Sequence, residues 1–335
     1  MKKVLFIGDP HITATHHSLE EGRKLIEFAT KIAEDQDVDK IVILGDLHHT
    51  HSVVRVEVLN FWLGVFIGYS LKRDCILLVG NHDVNNHKES EDTRLHSLEP
   101  YSILPGVTVV ERPTIIEGVG FMPYIHDPQR FLEAAKAFNT EGVETIVCHN
   151  TFIGALYENN FPAPDGIDID SVPQKQIISG HIHMQQQVGK VWYPGSPMWM
   201  TLGDANQEKG ICVVSFSKTN EITKKEFFST KDVCRPIYSF EVREDSDELE
   251  LPGNSRNLVT LIGSKEWINK TKSKYTDKAE IRTKIIEDRT ENRIRESEGI
   301  RNSIQRYLSE NFKIEGNTPK DLILKEILSR IGANV

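Results

Sequence analysis

The sequence predicts an α/β fold: a four-layer α/β/β/α sandwich followed by a small α/β cap and a C-terminal helical segment. Three observations carry that expectation. Five short apolar runs, Val4 to Ile7, Ile41 to Leu44, Cys75 to Val79, Thr145 to Cys148 and Gln176 to Ser179, each end in a polar motif. That is the pattern of a buried strand stopping in a loop. The steps Asp9 to Asp46, Asp46 to Asn81 and His149 to His181 are 37, 35 and 32 residues, and a strand, crossover helix and next strand need about 30. The runs Lys190 to Tyr193, Ile211 to Phe216 and Ile222 to Phe228 read as strands of a second sheet. Ligands of open α/β sheets bind at the carboxyl ends of the strands, so five motif strands in one sheet would gather their loops at one edge.

Between the first two motif strands, Ser18-Leu19-Glu20-Glu21 is a capping-box pattern. It opens a helix to about Asp35 with apolar residues Leu25, Ile26, Ala29, Ile32 and Ala33. A very apolar helix is expected from Val54 to Leu71. Val107 to Val110 and Gly118 to Met122 read as strands, and Pro128 to Phe138 as a helix begun by proline. Residues 154–174, rich in Pro, Asn and Asp, read as a long loop beside the motifs. A boundary is placed near Cys234-Arg235-Pro236, which divides the chain into 1–233, a cap of 234–287, and 288–335. In the cap, Ile237 to Val242, Leu258 to Ile262 and Glu280 to Ile286 alternate as strands, with a helix from Glu266 to Lys274. A polar helix over 288–312 and a final helix begun by Thr318-Pro319 complete the reading. The last carries the stripe Leu324, Ile327, Leu328 and Ile331.

Composition narrows the function classes. A chain of 335 residues with 39% hydrophobic and 27% charged residues has the composition of an ordinary soluble protein, for which two domains are the length-based prior. No apolar run reaches the roughly 18 residues of a membrane span. Met1-Lys2-Lys3 runs into a strand and not a signal-peptide core. A cytoplasmic location is expected. The cysteines at 75, 148, 212 and 234 form no Cys-x-x-Cys pair and read as buried, reduced thiols. The net charge of −9 is unevenly placed. Residues 264–313 hold 13 Lys or Arg against 9 Asp or Glu, a balance of +4 that leaves −13 on the remainder. That basic stretch reads either as a surface for a phosphate backbone or as a solvated face.

The motifs carry the chemistry. They are Gly8-Asp9-Pro10-His11, Gly45-Asp46-Leu47-His48-His49, Gly80-Asn81-His82-Asp83, Cys148-His149-Asn150 and Gly180-His181-Ile182-His183. Carboxylate, amide and imidazole without a thiolate pair form a ligand set for two catalytic ions and not for structural zinc. In this order the motifs resemble the signature of calcineurin-like metallophosphoesterases over residues 3–216. Tyr193-Pro194-Gly195-Ser196-Pro197, the Asp204 to Gly210 approach to a strand, and a tail of more than 100 residues make the chain most similar to SbcD-type DNA nucleases, in particular the bacteriophage versions.

The resemblance implies two divalent ions, manganese by family expectation, while oxygen and imidazole ligands also suit iron, zinc and cobalt. Asp46, a carboxylate with two oxygens, would bridge both. Asp9, His11 and His183 would complete one site, and Asn81, His149 and His181 the other. His82 would bind the scissile phosphate and protonate the leaving group, for which an imidazole near its ordinary pKa of about 6.5 is suited. His49 would contact the DNA phosphate. Asp83 either orients His82 or caps a turn. His16, His17, His48, His51, His87, His96 and His126 are placed in solvated loops. His48 stands where the family usually has an aromatic residue, and Ile12-Thr13 replace the usual x-Gly. The implied partners are DNA, as duplex ends or single strands, and an SbcC-type ATPase, and a homodimer is compatible. The implied activity is a metal-dependent exo- or endonuclease of recombination, replication or repair. A phosphatase or cyclic-nucleotide phosphodiesterase, and a non-catalytic DNA-end scaffold, are the competing readings.

Overall fold

The computed structural model describes residues 2–286 except 52, 69–71, 87, 89, 92, 159 and 248, and beyond them 302, 304, 306, 307, 326 and 327. The helices expected over 288–312 and from Thr318 onward therefore lie outside the described residues, apart from those six positions.

In chain order the elements are β1 (Lys3–Ile7), α1 (His16–Asp35), β2 (Lys40–Ile43), α2 (Val56–Ile67), β3 (Asp74–Leu78), β4 (Val107–Val110), β5 (Thr114–Ile116) and β6 (Val119–Phe121). They continue with α3 (Pro128–Thr140), β7 (Thr145–Cys148), β8 (Gln176–Ser179), β9 (Gln186–Val188), β10 (Val191–Tyr193), β11 (Gly210–Phe216) and β12 (Ile222–Ser229). The last are β13 (Ile237–Arg243), β14 (Arg256–Gly263), α4 (Lys265–Lys272) and β15 (Glu280–Ile285).

Two six-stranded sheets form the core, with orders β12-β11-β1-β2-β3-β4 and β5-β6-β7-β8-β10-β9. In each, four neighbouring strands pair in parallel and the remaining pairings are antiparallel. Side chains alternate across a strand, and the alternation assigns the layers. Val4, Phe6, Val42, Leu44, Ile76 and Leu78 of the first sheet share a buried cluster with Val119, Phe121, Val147, Ile178 and Trp192 of the second. Their neighbours Leu5, Ile7, Ile41, Ile43 and Leu77 face outward onto α1 and α2. Ile146, Cys148 and Ile177 do the same toward α3. The architecture is the expected four-layer sandwich, held by three stacked apolar layers.

Two expectations are corrected. The five motif strands do not share one sheet: β1, β2 and β3 lie in the first, and β7 and β8 in the second. β11 and β12 also belong to the first sheet, where β11 pairs antiparallel with β1. Apolar alternation makes a strand but does not name its partner.

Local chemistry explains the boundaries. α1 starts at His16 because Thr15 caps it, its side chain accepting from the Ser18 amide. The Ser18 hydroxyl instead accepts from the Thr13 amide at 2.9 Å, so Ser18 is not the cap. The apolar stripe Leu25, Ile26, Ala29, Ile32 and Ala33 is buried as expected. Asp127 caps α3, with Pro128 following at its first position. All four cysteines are buried free thiols. No helix among the described residues is long and apolar enough to cross a membrane.

The chain divides into two compact units, 1–240 with 248–259 and 277–280, and 241–247 with 260–276 and 281–335. Strands β13, β14 and β15 form a third sheet in the order β13-β14-β15. In the second unit Ser264 caps α4, and Glu244 accepts from both its amide, at 2.7 Å, and its hydroxyl, at 2.9 Å.

Candidate metal centre

The loops after β1, β2, β3, β7 and β8 converge on one constellation. Asp46 lies at its middle, and its two oxygens are not equivalent. Oδ1 accepts the His82 amide at 2.8 Å. Oδ2 lies 3.3 Å from both His11 Nε2 and His149 Nε2. A single oxygen therefore faces both ligand groups, a more specific arrangement than sharing two oxygens between two ions. On one side are Asp9, His11 and His183, with His11 Nε2 and His183 Nε2 3.1 Å apart. On the other, Asn81 Oδ1 lies 3.0 Å from His149 Nε2 and 2.7 Å from His181 Nδ1. All seven proposed ligands are brought together. Asp9, His11 and Asp46 form one cluster of metal-ligand spacing, and Asp46, His149 and His181 another.

The backbone is bent to achieve this. His11, Asp46 and His181 all have positive φ, 43°, 50° and 77°, a conformation uncommon outside glycine that costs about 1–3 kcal/mol each and clusters at functional sites. Gly80 lets the loops close up, because a Cβ there would run into Asp46. Gly45, at φ 109°, is likewise pressed against the His149 ring.

The donor chemistry fits cations. His149 Nδ1 donates to the Leu44 carbonyl at 2.6 Å, so in the neutral ring a bare Nε2 points at the Asn81 and Asp46 oxygens. Acceptors facing acceptors at such distances need positive charge between them. Asp9 Oδ2 and His11 Nδ1 are buried with no hydrogen-bond partner. Burial opposes charge on His149, yet the Asp46 carboxylate overrides it and lifts the imidazole to about 9. Burial also works against ionisation of Asp46, but His149 and His11 hold its carboxyl well below the usual range. In both cases the centre draws in positive charge.

His82 stands beside these residues, and with His11 and His49 it forms a further cluster of metal-ligand spacing. Its ring packs edge-on against His11 at 4.6 Å, and its Nδ1 donates to the His49 carbonyl at 2.7 Å. Burial pushes it down to about 4, which corrects the expectation of an imidazole near its ordinary value. His49 is exposed and lies 5.4 Å from the His11 ring. Asp83 accepts from the amides of Gly80, at 3.0 Å, and His48, at 3.2 Å. It thereby ties the second and third motif loops together, which is the turn-closing role.

Sequence reasoning misplaced two histidines. His48 is buried, bonded to Ser97 Oγ at 2.6 Å and near Tyr101 Oη at 3.2 Å. It fills the space an aromatic ring would take, and the family pattern was the available signal. The His96 side chain is 7% exposed and paired with Glu111 at 3.0 Å. His51 is exposed as expected, and it stacks on His82 with ring centroids 3.9 Å apart. His16, His17 and His126 are exposed as expected, and His87 lies outside the described residues. Glu158 was missed: its carboxylate bonds His183 Nδ1 at 2.9 Å. Nothing in the local sequence signals a contact between residues so far apart.

Comparison with known proteins places these residues in context. A profile described as calcineurin-like phosphoesterase matches residues 2–185. A protein of Invertebrate iridescent virus 6 described as a phosphoesterase, 244L, is 30% identical over 228 residues, 64% of this chain and 76% of that protein. The DNA double-strand break repair protein Mre11 of Nanoarchaeum equitans is 22% identical over 352 residues, 92% of each chain. Among solved structures, a 5′-nucleotidase precursor from Thermus thermophilus aligns at 12% identity and a TM-score of 0.37. That alignment covers 68% of this chain and 54% of the other, so the chain spans about half of that structure's length.

Proposed function

The chain belongs to the calcineurin-like phosphoesterase family, and from that premise we propose that it is an SbcD-type nuclease subunit, hydrolysing DNA phosphodiesters at ends or breaks with an SbcC-type ATPase. The observation that carries this reading is the extent of the likeness to the archaeal break-repair protein. It runs over 92% of both chains and does not stop where the phosphoesterase profile ends. The viral phosphoesterase relative is compatible with the same chemistry on another ester.

Asp9, His11 and His183 would hold one divalent ion and Asn81, His149 and His181 a second, with Asp46 common to both. Two such ions, proposed to be manganese, would supply an activated water and offset charge on the phosphoryl oxygens. The chain's own groups do the rest. Asp46 Oδ1 fixes the His82 amide. The His49 carbonyl holds the proton on His82 Nδ1, so Nε2 is the nitrogen that would serve the substrate. An anionic phosphodiester beside that ring would favour its protonated form, against the burial that disfavours it, and so equip the ring to protonate the leaving oxygen. His49, exposed at the rim, is placed to meet the backbone phosphate.

His82→Gln is expected to keep both ions and DNA binding while lowering kcat about 10²-fold, the lower scale of a lost general acid. Metal content of the purified variant, measured beside its rate, checks this, and loss of one ion would reassign His82 as a ligand.

Two surfaces extend the proposal. Lys270, Lys272, Lys274, Arg282 and Lys284 are exposed and are proposed to hold the DNA backbone, a salt-dependent contact. The stripe Leu324, Ile327, Leu328 and Ile331 is proposed to dock the ATPase as anchors in a groove. Leu324→Asp with Leu328→Asp should abolish co-purification, and an intact complex would contradict docking there. The function as a whole is tested by cleavage of linear and single-stranded DNA with manganese, run beside hydrolysis of nitrophenyl phosphate. Turnover of the small ester without any DNA cleavage would favour a general phosphoesterase.

A further inference from the structure

His183 is held at both ends of the residue. Its carbonyl accepts from the Ser196 amide at 3.0 Å and from Lys209 Nζ at 2.8 Å. At the other end, ring Nδ1 meets the Glu158 carboxylate at 2.9 Å, with Nε2 turned to His11. Glu158 comes from the segment 151–167, folded back on itself by bridges between Phe152 and Ile167 and between Leu156 and Pro162. That segment is fastened to the centre. Gln186 bonds both the amide and the carbonyl of Leu156, at 2.8 and 2.7 Å. Gln207 Nε2 donates to the Glu158 carbonyl at 2.7 Å. The Glu158 side chain is 25% exposed, so it is held in position without being sealed in.

The two ligand groups differ at this point. His149 Nδ1 donates to the Leu44 carbonyl, and the carboxylate nearest it, Asp9 at 3.3 Å, is itself a candidate ligand. His183 is oriented by a carboxylate from outside the seven candidate ligands, Glu158. A carboxylate partner fixes the tautomer with the proton on Nδ1 and makes the opposite nitrogen a stronger donor to metal, and losing such a partner typically costs about 10–100-fold in metal affinity.

We infer that Glu158 is a positioning residue that sets the affinity of the Asp9–His11–His183 ion independently of the second ion, so that the two sites fill at different metal concentrations. The inference rests on the two-ion reading above. It makes the 151–167 segment part of the metal centre and not only a surface loop.

Manganese titration of the metal-stripped full chain by calorimetry tests it, with metal-free melting curves alongside. Wild type should take up two ions. Glu158→Gln keeps an acceptor and loses the charge, and should weaken one ion about tenfold. Glu158→Ala should weaken the same ion by up to about 100-fold. The other ion and the metal-free melting temperature should stay as in wild type. Unchanged binding in Glu158→Ala overturns the role. Equal weakening of both ions with a lower melting temperature also overturns it, since the residue would then be structural. A wild-type chain that binds no manganese overturns the two-ion reading and this role together.

Discussion

Asp46→Ala should abolish phosphodiesterase activity, by at least about 10³-fold, while the metal-free protein stays folded. The size of the loss follows from what one side chain does. Its Oδ2 is the oxygen within 3.3 Å of a histidine from each ligand group, and its Oδ1 fixes the amide of His82. Removing it takes away the shared ligand and loosens the proposed general acid. Each 1.36 kcal/mol of lost barrier stabilisation is tenfold in rate, and metal stabilisation of charge is worth several kcal/mol. Stability is a separate matter. Asp46 is a buried carboxylate in a left-handed backbone conformation, so its loss also removes a desolvated charge. Rate, metal content and melting temperature measured on one preparation separate these effects. An Asp46→Ala protein that keeps two ions and substantial activity would remove Asp46 from the centre.

The second large effect is on stability. Lys209→Met should destabilise the metal-free protein by about 3–5 kcal/mol, the usual cost of removing one partner of a buried ion pair. Lys209 Nζ and Asp204 Oδ1 are 2.6 Å apart, and both side chains are inaccessible to solvent. The same ammonium donates to the His183 carbonyl. Asp204 Oδ2 meanwhile accepts the amides of Met200 and Thr201, at 3.0 and 2.9 Å, which pins the turn before β11. With methionine at 209, the Asp204 carboxylate is left buried without a counter-charge. Adding Asp204→Asn should recover much of the loss, because asparagine keeps the acceptor and carries no charge. Urea denaturation of the single and double variants measures this. A single variant within about 1 kcal/mol of wild type would mean that the pair is relaxed by solvent.

The sequence made some features readable and hid others for physical reasons. β7 and β8 fall where apolar run, spacing and motif coincide. The face of α1 follows from a helical period that burial enforces. β5 and β9 escaped notice because they are three residues long with no buried position, whereas the equally short β6 and β10 are buried throughout and show as apolar runs. The sheet membership of β11 was misjudged because its outer and inner faces are both buried, so no polar face marks its neighbour. The seven candidate ligand positions were legible through the family resemblance, since each sits in a short motif at a strand end. The positive φ values of His11, Asp46 and His181 were not. The acidic partner of His183 was invisible because it arrives from a folded-back segment in which no spacing rule applies. His48 was legible only as a departure from a pattern, and burial at 1% exposure gives that departure its meaning.

Anomalous diffraction from crystals of the full chain soaked in manganese tests the central claim most directly. The account predicts two anomalous peaks flanking Asp46 Oδ2, one within reach of Asp9, His11 and His183 and the other within reach of Asn81, His149 and His181. A single peak, or peaks that leave Asp46 uncoordinated, would contradict it.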